Sequence, residues 1–357
     1  MFVSWSNIRI MPDFRFRMIR AIATIVALCG AASSYAAPAG QIAFVMGTEQ
    51  EDQRVHIFDL ATMQSTPVGA GRRDGAPVWS PDGSQLAFEA QTDDGYMIHI
   101  VNADGTGLRA ISKLGTWNEW PRWSPDGKRL AYSTGEGLDM EAVVCDLATG
   151  VEEVWGGRKG LLNPIWFDNN TLLVLAVLNR DKKATLNLHT VTKSTVVRLP
   201  ENARTSDEDY VEWAPEIFPK KLTLAFETND GGDREIYILD MKTGCHNLSN
   251  DKAADWNPHW SPSGEWVAFE SFRGGRRGVY RVFASTARVM PVAASEEYDN
   301  WSPAWSPDGN WIAFASNRSG KPALLVTEVE GEQLIEIPLT SGYADAPAWR
   351  PSTKKAN

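Results

Sequence analysis

Cysteine and histidine are scarce: three and five of them in 357 residues. One cysteine, Cys29, falls in an N-terminal apolar run, which leaves Cys145 and Cys245 a full 100 residues apart. That rules out a disulfide scaffold, and five scattered histidines give no metal-binding spacing. Basic residues are outnumbered 35 to 45 and form no stripe, which argues against nucleic acid as a partner. The apolar run at residues 21–29 is too short to cross a bilayer as a helix. No Gly-x-Ser-x-Gly elbow of a serine hydrolase is present. Tryptophan, by contrast, is abundant, with 15 copies whose spacing carries the architecture.

The N-terminus reads as an export signal. Arg15, Arg17 and Arg20 precede the apolar run, and small residues then lead to Ser34, Tyr35 and Ala36 ahead of Ala37 and Pro38. This order of positive, apolar and small residues predicts cleavage near Ala36. Translation could start at Met1, Met11 or Met18. Leu28 stands where a lipobox would want a small residue, so Cys29 is not expected to carry lipid. Loss of residues 1–36 removes four arginines and one aspartate and leaves a net charge of −13.

Past the signal, one unit repeats: PVWSPDGSQLAFEA from Pro77, PRWSPDGKRLAYST from Pro121, PIWFDNNTLLVLAV from Pro164, PEIFPKKLTLAFET from Pro215, PHWSPSGEWVAFES from Pro258 and PAWSPDGNWIAFAS from Pro303. The tryptophan position holds Trp79, Trp123, Trp166, Ile217, Trp260, Trp305 and Trp349, at steps of 44, 43, 51, 43, 45 and 44 residues. Self-similarity at this period marks a propeller or another repeat array. Each unit decodes into four short strands. Pro-x-Trp is the first, and Ser-Pro-Asp-Gly is a tight turn, with proline presetting φ and glycine accepting a positive φ. Ile-Ala-Phe is a strand buried on both faces. A third strand follows, as at 235–240, and a fourth, as at 334–338.

The chain ends on a repeat start without its continuation, DAPAWRP from Asp345. It opens, after the signal, on a continuation without its start, PAGQIAF from Pro38. The two halves complete one blade, so residues 347–351 should pair with residues 42–44 and close the ring. Residues 37–352 then form an all-β, seven-bladed β-propeller of four-stranded blades, with a short tail at 353–357. Six blades, the alternative, would need about 53 residues each instead of about 45.

The intact Trp-Ser-Pro-Asp-Gly at Trp79, Trp123 and Trp305, and its near copy at Trp260, resemble the WD-like propeller repeats of the TolB family over essentially the whole chain after the signal. The resemblance implies a periplasmic, protein-binding propeller. The sequence departs from it in two respects. The family places an α/β domain before its propeller, whereas here the repeats follow the signal directly, and the family propeller has six blades where seven are counted. Similar propellers also serve prolyl-oligopeptidase-like peptidases and oligogalacturonate lyases, the latter through a histidine-rich metal site.

Candidate site residues come from the connections into each first strand. Asp74, Trp117, Glu119, Glu212, Asp255, Trp256, Asp299, Trp301 and Asp345 precede the Pro-x-Trp segments and should ring one mouth of the channel. The loops between strands two and three should open on the same face. They carry Arg180, Arg273 and Arg318, with Arg276 and Arg277. Acidic, aromatic and arginine side chains together make a recognition surface. The bland alternative is that Asp and Asn cap turns while the aromatics shield the channel. The extra length of the 51-residue step falls near residues 200–210, on that same face. His56, His99 and His189 occupy the third-strand position that Tyr237 and Tyr280 hold elsewhere, so they are expected to be structural. No cofactor is expected. The function expected is a monomeric binding propeller of the periplasm or cell exterior, with a protein or peptide partner and without a membrane span. The alternative is a glycan-active lyase or hydrolase using acidic residues at the mouth.

Overall fold

The computed structural model describes residues 36–48, 52–75, 77–178, 185–198, 212–218, 223–229, 233–240, 243–330, 333–339 and 342–352, with the backbone alone at 178, 185–188, 198 and 212–218. Seven four-stranded antiparallel sheets account for all of its strands. The first strand of every blade touches the first strands of both neighbours, which closes a ring of seven. Blade 1 is shared between the two ends of the chain. Tyr343–Trp349 supplies its first strand, followed by Gln41–Gly47, Gln53–Asp59 and Gln64–Pro67. Ile42 pairs with Trp349 and Ala43 with Ala348, as the split repeat predicts. The first strands of blades 2 to 7 are Val78–Trp79, Asn118–Trp123, Leu161–Asp168, Glu212–Phe218, Asp255–Trp260 and Asn300–Trp305.

The Ile-Ala-Phe strand is buried throughout because each of its faces meets a different blade. Ile42 and Phe44 pack with Trp311, Leu324 and Trp349 toward blade 7. Ala43 and Val45, one residue out of phase, pack with Trp79, Leu86 and Phe88 toward blade 2. Two-residue periodicity thus feeds two interblade cores at once. Truncating a buried phenylalanine such as Phe269 to alanine should cost about 3–5 kcal/mol.

The repeat tryptophans add a polar stitch to this packing. The indole N–H of Trp79 donates to the Ala348 carbonyl, that of Trp123 to Val78, that of Trp166 to Arg122 and that of Trp305 to His259, each at 3.0 Å. Every acceptor lies on the first strand of the preceding blade. At the closing seam the pattern breaks: the buried Trp349 indole N–H has no partner among the described residues.

The Ser-Pro-Asp-Gly turns are built alike. Ser80 donates its hydroxyl to Asp82 at 2.7 Å and accepts the Gln85 N–H at 3.0 Å, while Gly83 takes φ of +68°. Ser124–Asp126 and Ser306–Asp308 repeat the bond at 2.6 and 2.5 Å. These aspartates are turn residues. The hydroxyl bonds hold Asp82 below the usual carboxylate range. His56, His99 and His189 lie in three different blades, each opposite the Phe position of strand two, as the repeat predicts.

Candidate functional site

The mouth is shaped by a bulge in the first strands. Pairing between strands one and two slips just before the Pro-x-Trp segment in blades 1 and 3 to 7. At that point Trp120, Asn163, Asn257, Ser302 and Ala346 adopt φ between +47° and +58°, each immediately before a proline. The left-handed region is unfavourable for Trp120, Ser302 and Ala346, though less so for the two asparagines, so the surroundings must hold it. They do so through the preceding blade, which caps the backbone N–H freed by the bulge. Trp120 N–H donates to Glu89, Asn163 N–H to the Ser133 hydroxyl and Ser302 N–H to Glu270, each at 3.0 Å. Asn257 N–H bonds Glu227. In blade 7 the capping position is Ala315, and Ala346 N–H turns instead to the carboxylate of Asp345 at 2.6 Å.

Glu89, Glu227 and Glu270 were not singled out from the sequence, because they lie inside strands that read as core. Their signal was a glutamate directly after Ala-Phe in three repeats, a charge where an apolar pattern should continue. Burial pushes the Glu89 carboxyl up to about 7, against the Trp120 N–H bond and with help from the nearby Glu119 charge. Burial likewise pushes Glu227 up to about 7, opposed by Arg234 at 3.7 Å.

At blades 6 and 7 the mouth is filled by arginine. Glu270 is fully buried. One of its oxygens accepts Asn257 Nδ2 at 2.9 Å and Ser302 N–H, and the other accepts Nε of Arg277. The Arg277 guanidinium lies 5.6 Å from the rings of both Trp256 and Trp301, one on each blade. Trp256 in turn packs on Phe272 at 5.0 Å. Arg276 makes a two-pronged pair with Asp299 at 2.8 and 3.1 Å, and these bonds hold Asp299 below its ordinary range.

Blade 3 presents a different rim. Trp117 is 37% exposed, stacks on Tyr96 at 4.4 Å and donates its indole N–H to Glu119 at 2.5 Å. Trp117, Glu119, Trp120, Glu136, Gly137 and Met140 line an open cavity of about 350 Å³.

The structure sorts the sequence-derived residues by register. Counting back from the repeat tryptophan, the fourth position holds Glu119, Trp256, Trp301 and Asp345, all half-buried at the rim. The fifth position turns into the blade. Asp74, 1% exposed, accepts Val55 N–H and Gly71 N–H at 2.9 Å each. Asp255, 0% exposed, pairs with Arg273 at 2.6 Å. Burial raises both carboxyls. These two are therefore buried inward-facing groups, not rim groups, and Asp74 caps a strand of the preceding blade. Arg273 is consumed by Asp255 and lies 5.1 Å from the Phe269 ring. Arg318 stays exposed, its guanidinium 5.7 Å from the Tyr298 ring. Asp345 accepts the Tyr343 hydroxyl at 3.1 Å. Glu212 opens its first strand opposite Thr228, with only its backbone described. Arg180 and the extra residues near 200–210 lie outside the described residues.

A closed ring of Ser-Pro-Asp-Gly blades, stitched by indoles and opening on an acidic and aromatic mouth, is a WD-like β-propeller. Residues 31–137 match the family model described as PD40, the TolB beta propeller domain, and the propeller is TolB-like. Among solved structures it is similar to TolB from Acinetobacter baumannii, at 19% identity over 88% of this chain and 67% of that one, with a TM-score of 0.59. The β-propeller domain of the Trilobed protease from Pyrococcus furiosus aligns at 11% identity over 84% of this chain and 94% of its own, with a TM-score of 0.63. Oligogalacturonate lyase from Vibrio parahaemolyticus aligns at 14% identity over 80% and 84%, with a TM-score of 0.60. Likeness at this identity shows the fold alone, and the fold hosts both binding and catalysis. No curated protein matches the chain significantly.

Proposed function

We propose that this protein is an exported, non-enzymatic binding propeller of the periplasm or cell exterior, which recognises a protein or peptide at the blade 3 and blade 6–7 mouth. The observation that carries the proposal is the rim itself. Trp117, Trp256 and Trp301 stand there in partial contact with solvent, next to charged groups that orient a ligand, and such aromatics are the usual anchors of interfaces. Carboxylates at and beneath the rim are already engaged: Asp299 by Arg276, Asp345 by Tyr343 and the buried Glu270 by Arg277. Asp299, Arg318 and Asp345 fit the outer ring of that surface. The TolB likeness and the export-type N-terminus support the location. Among the described residues, no helix is long and apolar enough to cross a membrane.

Affinity capture from the cell envelope tests this. Replacing Trp117, Trp256 and Trp301 together with alanine should abolish capture of the partner while leaving the protein folded. Capture at the parent level would overturn the proposal. N-terminal sequencing of the exported protein should find Ala37 first and no lipid on Cys29.

One observation favours a second reading as a glycan-active enzyme. Glu89, pushed up to about 7, lies within electrostatic reach of Glu119, and a carboxyl that keeps its proton near neutral pH is a tool of acid–base chemistry. In that case the Glu89→Gln variant would lose turnover of an acidic oligosaccharide. Under the binding proposal no such turnover exists to lose.

A further inference from the structure

Repeat-equivalent positions of blades 2 and 6 differ in one respect. In blade 6, Glu270 caps the bulge of the next blade and is neutralised by Arg277, which enters from the loop between strands two and three. The guanidinium sits between two indoles. In blade 2, Glu89 caps the bulge of the next blade in the same way. The position of Arg277 is aligned by the pairs Phe269–Tyr280 and Phe88–His99, and in blade 2 it holds Tyr96. No cation is delivered from that loop, and among the described residues Glu89, Glu119 and Glu136 form no ion pair. Among the described residues, the Arg122 charge acts on Glu89. Next to these carboxyl groups lies the open cavity of about 350 Å³, walled by Trp117, Trp120 and Met140 and edged by Glu119 and Glu136.

We infer that this cavity receives an arginine side chain of the protein partner. The inference rests on the binding function proposed above and gives the partner a chemistry. An anion would meet only carboxylates there, and a purely apolar group would bury Glu119 without a counter-charge. A guanidinium suits all the walls. It stacks on an indole face and donates to carboxylates in one plane, which a lysine ammonium cannot do. Arg277 shows that this mouth already houses a guanidinium between indoles and a glutamate where the chain supplies one.

The test titrates the full protein, labelled with 15N-tryptophan, with N-acetyl-arginine amide and with its neutral isostere N-acetyl-citrulline amide. The Trp117 indole resonance is assigned by Trp117→Phe. The arginine derivative should move that resonance and the citrulline derivative should not at the same concentration. The double variant Glu119→Gln/Glu136→Gln should weaken the response about fivefold or more, the magnitude expected for two partly exposed charge contacts, with an unchanged melting temperature. Equal response to both compounds, or an unweakened double variant, would overturn the assignment. Partner capture separates this failure from that of the binding function. Capture that survives the double variant but not the triple tryptophan variant sinks only the arginine site, whereas capture that survives both sinks the binding function as well.

Discussion

Trp301 and Trp305 stand four residues apart on one strand, yet they have different surroundings. Trp305 is buried, and its indole N–H is tied to the His259 carbonyl of the neighbouring blade. Trp301 is half-buried at the rim, with the Arg277 guanidinium over its ring. Trp256 and Trp260 repeat the contrast one blade earlier. Along a regular strand, positions four apart share a face. Here a left-handed residue, Ser302 or Asn257, intervenes and turns the upper half of the strand toward the mouth. In blades 6 and 7 the wall of the ring and its rim therefore both use tryptophan, and a bulge separates the two.

If the wall holds the ring, breaking its seam should have the largest effect of all. Deleting residues 342–357 removes the first strand of blade 1, including buried Ala344 and Trp349. Both blade 7 and blade 2 then lose a packing partner. The melting temperature should fall by about 10 °C or more, given roughly 2–4 °C per kcal/mol for a protein of this size. Calorimetry of the truncated protein checks this, and a melt at the parent's temperature would mean that the seam does not hold the ring.

Next comes the pair itself. Trp305→Ala should cost about 3–5 kcal/mol, from lost burial and an orphaned carbonyl. Trp301→Ala should cost less than about 1 kcal/mol, the scale of a partly exposed cation–π contact. Urea unfolding of the two variants side by side measures the gap. Equal losses would erase the distinction between wall and rim.

The wall was legible in the sequence because its determinants are local and repeated: a turn residue at a fixed offset, an alternating strand, and a position recurring every 43 to 45 residues apart from one longer step, filled by tryptophan in every repeat but the one with Ile217. Even the closing blade followed from two incomplete repeats. The rim was only half legible. Residues before Pro-x-Trp could be collected as acidic and aromatic, but the facing of each depends on a bulge whose backbone no residue type announces. Trp120, Asn163, Asn257, Ser302 and Ala346 share a following proline but no common side-chain type. Asp74 and Asp255 therefore look like rim groups in the sequence, although register turns them inward. Glu89, Glu227 and Glu270 are hard to see in the sequence because a single charge inside an Ala-Phe strand looks like a minor break in a core pattern. Its partner, a backbone N–H freed by a bulge in another blade, lies some 30 residues away in sequence.

The smallest expected effect separates two glutamates that share this capping role. Glu89 holds its proton up to about 7 in the folded protein, against an ordinary value of 4.5. Between those values the folded state keeps a proton that the unfolded chain gives up. Its contribution to stability is therefore fully present below about pH 4.5 and is lost as pH rises through about 7. Glutamine imitates the protonated form at every pH and can still accept the Trp120 N–H. Glu89→Gln should match the parent at pH 4 and exceed it at pH 8 by about 1–3 kcal/mol. Glu270→Gln should act in the opposite direction at pH 8. It leaves the Arg277 guanidinium without its counter-charge between two indoles, at a cost of about 1–3 kcal/mol. Thermal unfolding of both variants at pH 4 and pH 8 gives the two signs directly. If Glu89→Gln gains nothing at pH 8, the Glu89 carboxylate is already compensated in the folded protein, and the contrast between an occupied and a vacant arginine seat at this mouth loses its electrostatic basis.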